Sequence, residues 1–279
     1  QRVPFQALDR VSLDIGSGMF GLVGPNGSGK TTLMRIICGI LPASRGKVYF
    51  NGLDLARYRE ELQSLIGYLP QEFGAYENMT ARRFLDYQAL LKGIWDRTKR
   101  EAAVAEALRA VHLSDRMDDR VKTYSGGMKQ RLGIAQTLLH LPRVLVVDEP
   151  TAGLDPNERI RFRNMLSELA RDRIVIFSTH IIEDISSSCN RLAVLLGGRV
   201  RFTGTPAELV NLTRGSVWQA HVDDAAFEEI RRTFKVVHHM RDGERIRVRI
   251  LSPVRPLDSA IEVVPNLEDS YMRLLGQEA

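Results

Sequence analysis

Apolar positions fall into two patterns that alternate along most of the chain. Short unbroken runs at Leu65 to Leu69, Val144 to Val147 and Ile174 to Phe177 predict strands. The last two have the β-branched, polar-free character of parallel strands covered on both faces. Residues 11–23 predict two strands broken by Gly16-Ser17-Gly18, the second, Met19 to Val23, running into a glycine-rich loop. Lys47 to Phe50 predicts a short strand before the turn Asn51-Gly52. Between these runs the period changes. Leu33 to Leu41 predicts an apolar helix stopped by Pro42. From Thr80 to Val111, the residues Phe84, Tyr87, Leu91, Ala103, Ala107, Leu108 and Val111 fall near helical spacing. Strands alternating with helices predict an α/β sheet built from crossover units.

The pattern changes again after about Asn211. Ser216 to Val222 predicts a strand, and Lys235 to Met240 and Arg245 to Leu251 flank Asp242-Gly243, a hairpin turn signal. Ile246, Val248 and Ile250 alternate with Arg245, Arg247 and Arg249, which predicts a strand with one solvated face. Asn266 is placed to cap a last helix over Leu267 to Leu275. The expected organisation is therefore a first domain over residues 1–213, with a helical subdomain inserted at about 72–140, and a small α+β domain over 214–279.

Composition narrows the picture only a little. The 279 residues are 44% apolar and 26% charged, as expected of a folded globular chain. No run approaches the ~18 apolar residues of a membrane span, and the first residues, which open on Gln1, carry no signal-peptide pattern. Cys38 and Cys189 match no metal or redox spacing and predict two reduced thiols. The net charge is +5, with +6 in residues 1–213 and −1 beyond. A diffuse excess of this kind argues against nucleic acid as a partner, because such binders concentrate their basic residues on one face.

Three motifs carry chemistry. Gly24-Pro25-Asn26-Gly27-Ser28-Gly29-Lys30-Thr31, with Thr32 following, fits the phosphate-loop pattern between a predicted strand and a predicted helix. Its glycines let backbone N–H groups crowd around phosphates, and the helix adds its positive N-terminal end. Lys30 is placed to reach the β- and γ-phosphates and Thr31 to ligate Mg²⁺. Asp148-Glu149 closes the buried run Val144–Val147, and an acidic pair there needs a cation or a proton. In a phosphate-loop protein Asp148 holds Mg²⁺ through water, and Glu149 polarises the attacking water. Ser125-Gly126-Gly127 reads as a helix cap with exposed N–H groups, a second anion site.

Taken together, the set resembles the ABC ATPase family over at least residues 8–210. Gly24–Thr31 is similar to its Walker A loop, Ser125–Gly127 to its signature, and Asp148 and Glu149 to Walker B and the catalytic glutamate. Gln71 resembles the Q-loop glutamine, which also reaches the Mg²⁺ site. Asp155, in Ala152-Gly-Leu-Asp-Pro, resembles the D-loop aspartate, and His180 the switch histidine. Two positions depart: Tyr124 and Met128 stand where the family most often has Leu and Gln. The adenine-stacking aromatic is expected at or before Gln1; Phe5 comes too late and reads as packing.

The resemblance implies a P-loop NTPase core with an N-terminal antiparallel β portion, binding ATP and Mg²⁺ and hydrolysing ATP. It implies two partners: a second cassette that donates its Ser125–Gly127 across the dimer, and a separate transmembrane permease at the cytoplasmic face of the cell membrane. Pro70–Thr80, the Tyr-Ser-Gly-Gly-Met signature and Pro265-Asn-Leu-Glu-Asp are similar to ABC-2-type exporter ATPases. Phe73 and Tyr76 lie in the segment that receives the permease's coupling helix in that family, and are weighed equally as core or docking residues. The alternatives are a soluble cassette acting on ribosomes or nucleic acid, and an inactive scaffold. The first is disfavoured because ribosomal factors of that family carry two cassettes in one chain, and its chromosome and repair ATPases carry a long coiled coil, whereas the interval Thr31 to Tyr124 here lacks sustained heptads. The second is disfavoured because Lys30, Gln71, Glu149 and His180 are all present.

Overall fold

Six strands form the central sheet in the order β4-β5-β6-β1-β7-β8. These are β1 (Gly18–Val23), β4 (Ile66–Leu69), β5 (Val144–Val147), β6 (Ile174–Thr179), β7 (Arg191–Leu196) and β8 (Arg199–Gly204). All neighbours are parallel except β8, which runs antiparallel to β7 at the edge. The computed structural model describes residues 6–186 and 188–276.

Side chains alternate between the two faces of each strand, and both faces are covered. Leu145 and Val147 of β5 and Val175 and Phe177 of β6 join one core cluster with Leu132, Phe162 and Leu166 from helices. Val144, Val146 and Ile176 face the other cluster, with Leu33 and Met34. That is why these strands read as continuous apolar runs.

Helix α1 (Lys30–Ile37) follows β1 directly. It begins earlier than the apolar pattern suggested and ends before Pro42. Gly39, at φ +65°, closes it: Gly39 N–H donates to the Ile36 carbonyl and Ile40 N–H to Arg35. The strand expected in the first part of 11–23 does not pair; 11–16 is irregular. Its alternation survives as packing, with Val11, Leu13 and Ile15 partly buried on the α1 side of the sheet. The antiparallel portion on the N-terminal side is the hairpin β2 (Tyr49–Phe50) and β3 (Leu53–Asp54), followed by the one-turn helix α2 (Arg59–Gln63).

The helical stretch from Thr80 is two helices, α3 (Ala81–Leu91) and α4 (Arg97–Ala110), broken at Gly93 with φ +83°. Thr80 and Asp96 cap them. Helix α5 (Gly126–Leu138) starts at the Ser125 cap. Helix α6 (Pro156–Leu169) follows β5, the short α7 (Glu183–Ser186) follows β6, and α8 (Pro206–Asn211) follows β8.

Beyond α8, β9 (Val217–Val222), β10 (Lys235–Asp242), β11 (Arg245–Leu251) and β12 (Ile261–Glu262) make an antiparallel sheet ordered β10-β11-β9-β12. Helix α9 (Asp224–Thr233) covers it through Phe227 and Ile230, which meet Ile246, Val248 and Ile250. The last helix, α10 (Leu267–Leu275), returns to the main body, where Leu267, Tyr271 and Leu274 enter the same cluster as Leu209 of α8. The arginine face of β11 is only partly solvated. Arg249 grips Asp269, which is buried in the capping box of α10, with nitrogens 2.7 and 2.6 Å from its two carboxylate oxygens.

Candidate active site

The loop 24–29 turns from β1 into α1, and close packing dictates its glycines. A Cβ at Gly24 would fall on the Leu195 carbonyl oxygen of β7, and one at Gly29 would lie 2.7 Å from the Ala7 carbonyl. Gly27 and Gly29 hold φ of +80° and +103°, conformations glycine adopts without penalty. The loop folds around Lys30, which is only 4% exposed. Its ammonium donates to the carbonyls of Gly24 at 2.7 Å and Pro25 at 3.1 Å, and lies 3.0 Å from Glu149 Oε1.

Asp148 and Glu149 follow the end of β5, against β6. Asp148 is fully buried; Oδ1 accepts a hydrogen bond from the Ser178 hydroxyl at 2.7 Å. Its Oδ2 is buried with no partner among the described residues. Glu149 N–H donates to the same Ser178 oxygen at 2.9 Å. Glu149 sits at φ +45°, a left-handed conformation that costs a residue with a Cβ about 1–2 kcal/mol. That turn aims its carboxylate back over Lys30. The second oxygen, Oε2, lies 3.1 Å from His180 Nδ1. A carboxylate only accepts, so this ring nitrogen carries the proton. Burial pushes the Glu149 carboxyl pKa up, but contacts with Lys30 and then His180 outweigh it and hold the group below its ordinary value. Glu149 is therefore ionised at neutral pH.

A cavity of about 400 Å³ opens over these groups, lined by Asn26, Gly27, Gly29, Lys30, Thr31, Thr32, Gln71, Glu149 and Ala7. The phosphate loop, Gln71 and Glu149 are thus brought to one place from three separate stretches of chain, with His180 behind Glu149. Ser125, Gly126 and Gly127 do not line it. They begin α5 and pack against the start of α6, where a Cβ on Gly127 would collide with the Glu158 carboxylate. Asp155 caps α6, accepting from Glu158 N–H at 2.9 Å. Gln1 and Phe5 lie outside the described residues. Sequence reasoning missed Ser178, which ties Asp148 to Glu149. Its signal was a pair of polar residues, Ser178-Thr179, extending an apolar strand at the depth of the acidic pair. Ala7 was also missed, and nothing in its type announces a place in a ligand cavity.

The family model for ABC transporters matches residues 8–152. The chain belongs to the ABC transporter family. It is 35% identical to the daunorubicin resistance ATP-binding protein DrrA2 of Streptomyces coeruleorubidus, over 96% of this chain and 85% of that one. It is 33% identical to the Nod factor export ATP-binding protein I of Rhizobium etli, over 93% and 85%. Among solved structures, the ATP-binding cassette MJ0796, a dimer in a post-hydrolysis state with ADP and Pi, aligns with TM-score 0.63 at 25% identity, over 71% of this chain and 90% of that one. This cassette is an ATP-binding and ATP-hydrolysing subunit of an ABC transporter. Such relatives favour the transporter reading over the ribosomal or nucleic-acid alternative. Among the described residues no helix is long and apolar enough to cross a membrane.

Proposed function

We propose that this cassette is the motor of an exporter and works as an ATP-bridged dimer on a separate transmembrane permease. Export is supported by the relatives above and by linearmycin resistance ATP-binding protein LnrL of Bacillus subtilis (strain 168), 29% identical over 92% of this chain and 89% of that one. The body that closes on ATP ends near residue 213, with α10 packed back on it, and the membrane partner places it at the cytoplasmic face.

One observation carries the catalytic reading: Lys30, Glu149 and His180 form a continuous chain of contacts at the wall of the cavity. In this reading residues 24–32 cradle the phosphates, Lys30 exchanges Glu149 for phosphate oxygen, Glu149 takes the proton of the attacking water, and His180 and Gln71 steady that arrangement. Asp148 Oδ2, without a partner among the described residues, fits a cation, and Thr31 and Gln71 line the cavity. Magnesium held by Thr31, Asp148 and Gln71, partly through water, neutralises charge on the β- and γ-phosphates when bound.

Ser125–Gly127 do not line the cavity of their own chain, so the signature serves a second copy, together with its Asp155. Lys30→Ala and Ser125→Arg chains should each be inactive alone. Mixed in equal amounts, half the dimers pair one of each and rebuild one composite site, so about a quarter of wild-type activity should return. A mixture as inactive as its components removes the two-chain site.

A further inference from the structure

One buried charge plays no part in the reading above. Asp184, on α7, is 0% exposed. Its Oδ2 accepts from the Thr151 hydroxyl at 2.8 Å and lies 3.4 Å from the Thr179 hydroxyl, whose one proton is shared between it and the Ile181 carbonyl, also at 3.4 Å. Its Oδ1 accepts from Arg163 of α6 at 3.3 Å, and the same guanidinium nitrogen lies 3.3 Å from the Glu183 carbonyl. Thr151 and Thr179 are each 1% exposed. A carboxylate taken this far from water needs its partners, and these partners are specific in sequence. Thr151 stands two residues after Glu149, on the loop that leaves β5. Thr179 immediately precedes His180, on the loop that leaves β6. Thr179 is itself fixed, its hydroxyl oxygen accepting from Ile181 N–H at 2.9 Å.

We infer that Asp184 is a positioning residue for hydrolysis: it clamps the loop carrying Glu149 to the loop carrying His180. Glu149 and His180 meet at 3.1 Å although they sit on different loops, and Glu149 holds a left-handed backbone that its surroundings must enforce. Ser178 ties the two strands at the level of Asp148. Beyond that level, one oxygen of Asp184 joins the loop at Thr151 to Thr179, the last residue of β6 before His180, while Arg163 anchors the carboxylate to α6. Without the clamp each loop keeps its strand but loses its register to the other. ATP would still bind, because Lys30 and the phosphate loop sit on β1 and α1. The water-activating pair would be misplaced. A displacement near 1 Å can cost about 100-fold in rate.

The inference rests on the assignment of Glu149 and His180, so Glu149→Gln is measured in parallel. Its turnover should fall about 10²–10⁴-fold with ATP binding retained; near-normal turnover there sinks the base assignment itself. With that control in place, Asp184→Asn and Thr151→Val should each lower kcat about 10- to 100-fold. KM for ATP should stay within about twofold, because that loss belongs to the transition state. Thr151→Ser, which keeps the hydroxyl, should restore turnover. Adding His180→Ala to Asp184→Asn should cost far less than it costs the parent chain, because both changes break one unit. Thr151→Val tests the same contact from its other end, without removing a charge, if Asp184→Asn is poorly folded. Wild-type kcat in Thr151→Val, a parallel rise in KM, or full multiplication of the His180→Ala loss would each overturn the clamp.

Discussion

Gly24 shows how little freedom a single residue has in this site. The nearest obstacle to a side chain there is a backbone carbonyl of β7, a strand hydrogen-bonded within the sheet between β1 and β8, with the Ser28 hydroxyl oxygen 2.6 Å away. The hydroxyl can rotate, but the carbonyl cannot move without shifting the sheet. Gly24→Ala should cost about 1–3 kcal/mol of stability, the usual scale for overpacking. It should also lose ATP affinity, because Gly24 supplies one of the carbonyls that hold Lys30. Denaturant unfolding and equilibrium ATP binding check both, and an unaltered affinity would mean the loop tolerates the distortion. At this scale the sequence was informative wherever chemistry depends on residue type at fixed spacing. Lys30, Thr31, Asp148 and Glu149 announce themselves that way. Ser178 and Asp184 do not: their roles exist only because β5 lies beside β6, a relation that no local spacing encodes.

Elements are tied together by single polar side chains at their ends, and one tie is sensitive to pH. His140, just past α5, sits with Nε2 3.1 Å from the Ile66 carbonyl at the start of β4, and Nδ1 3.0 Å from the Lys92 ammonium just past α3. The neutral ring with its proton on Nε2 satisfies both contacts; a second proton on Nδ1 would face Lys92. Burial, and then the Lys92 charge, accordingly hold the His140 pKa below its ordinary value. The unfolded chain takes up that proton first, so stability falls as pH drops below about 6.5, toward the lower folded value. The thermal midpoint should therefore fall between pH 7.5 and 5.5, and His140→Gln should flatten part of that slope. An identical slope in the variant would assign the loss to other groups. Element types were legible where periodicity was long or burial complete, as in α4 and β5. Limits were not. Gly39 closes α1 through backbone bonds that composition does not reveal, and residues 11–16 alternate like a strand yet find no partner. Arg249 looked solvated because Asp269, which it grips, lies on a different element 20 residues on.

Across the whole molecule, the exposed aromatic surface near Gln71 is the place to look for the permease. Phe73 turns inward, its ring edge-on to Phe84 at 5.9 Å, and belongs to the core. Tyr76 remains 54% exposed and Tyr87 40%, edge-to-face at 5.9 Å. On the function proposed above, the two rings would serve as the apolar anchor for a short amphipathic helix of the permease. Tyr76→Ala with Tyr87→Ala should leave the basal ATPase of the isolated cassette within about twofold while co-purification with the permease falls, since losing such an anchor costs ~2 kcal/mol or more. Undiminished co-purification would place the docking surface elsewhere. The return of α10 to the main body has a consequence during synthesis. Leu209 and the three residues that complete its cluster, Leu267, Tyr271 and Leu274, are separated by the whole of the small sheet. At about 5–20 residues per second, the ribosome needs several seconds to make that stretch. For that interval the nascent cassette carries every catalytic residue and an open seam beside α8, which makes it a client for chaperones until α10 emerges and closes it.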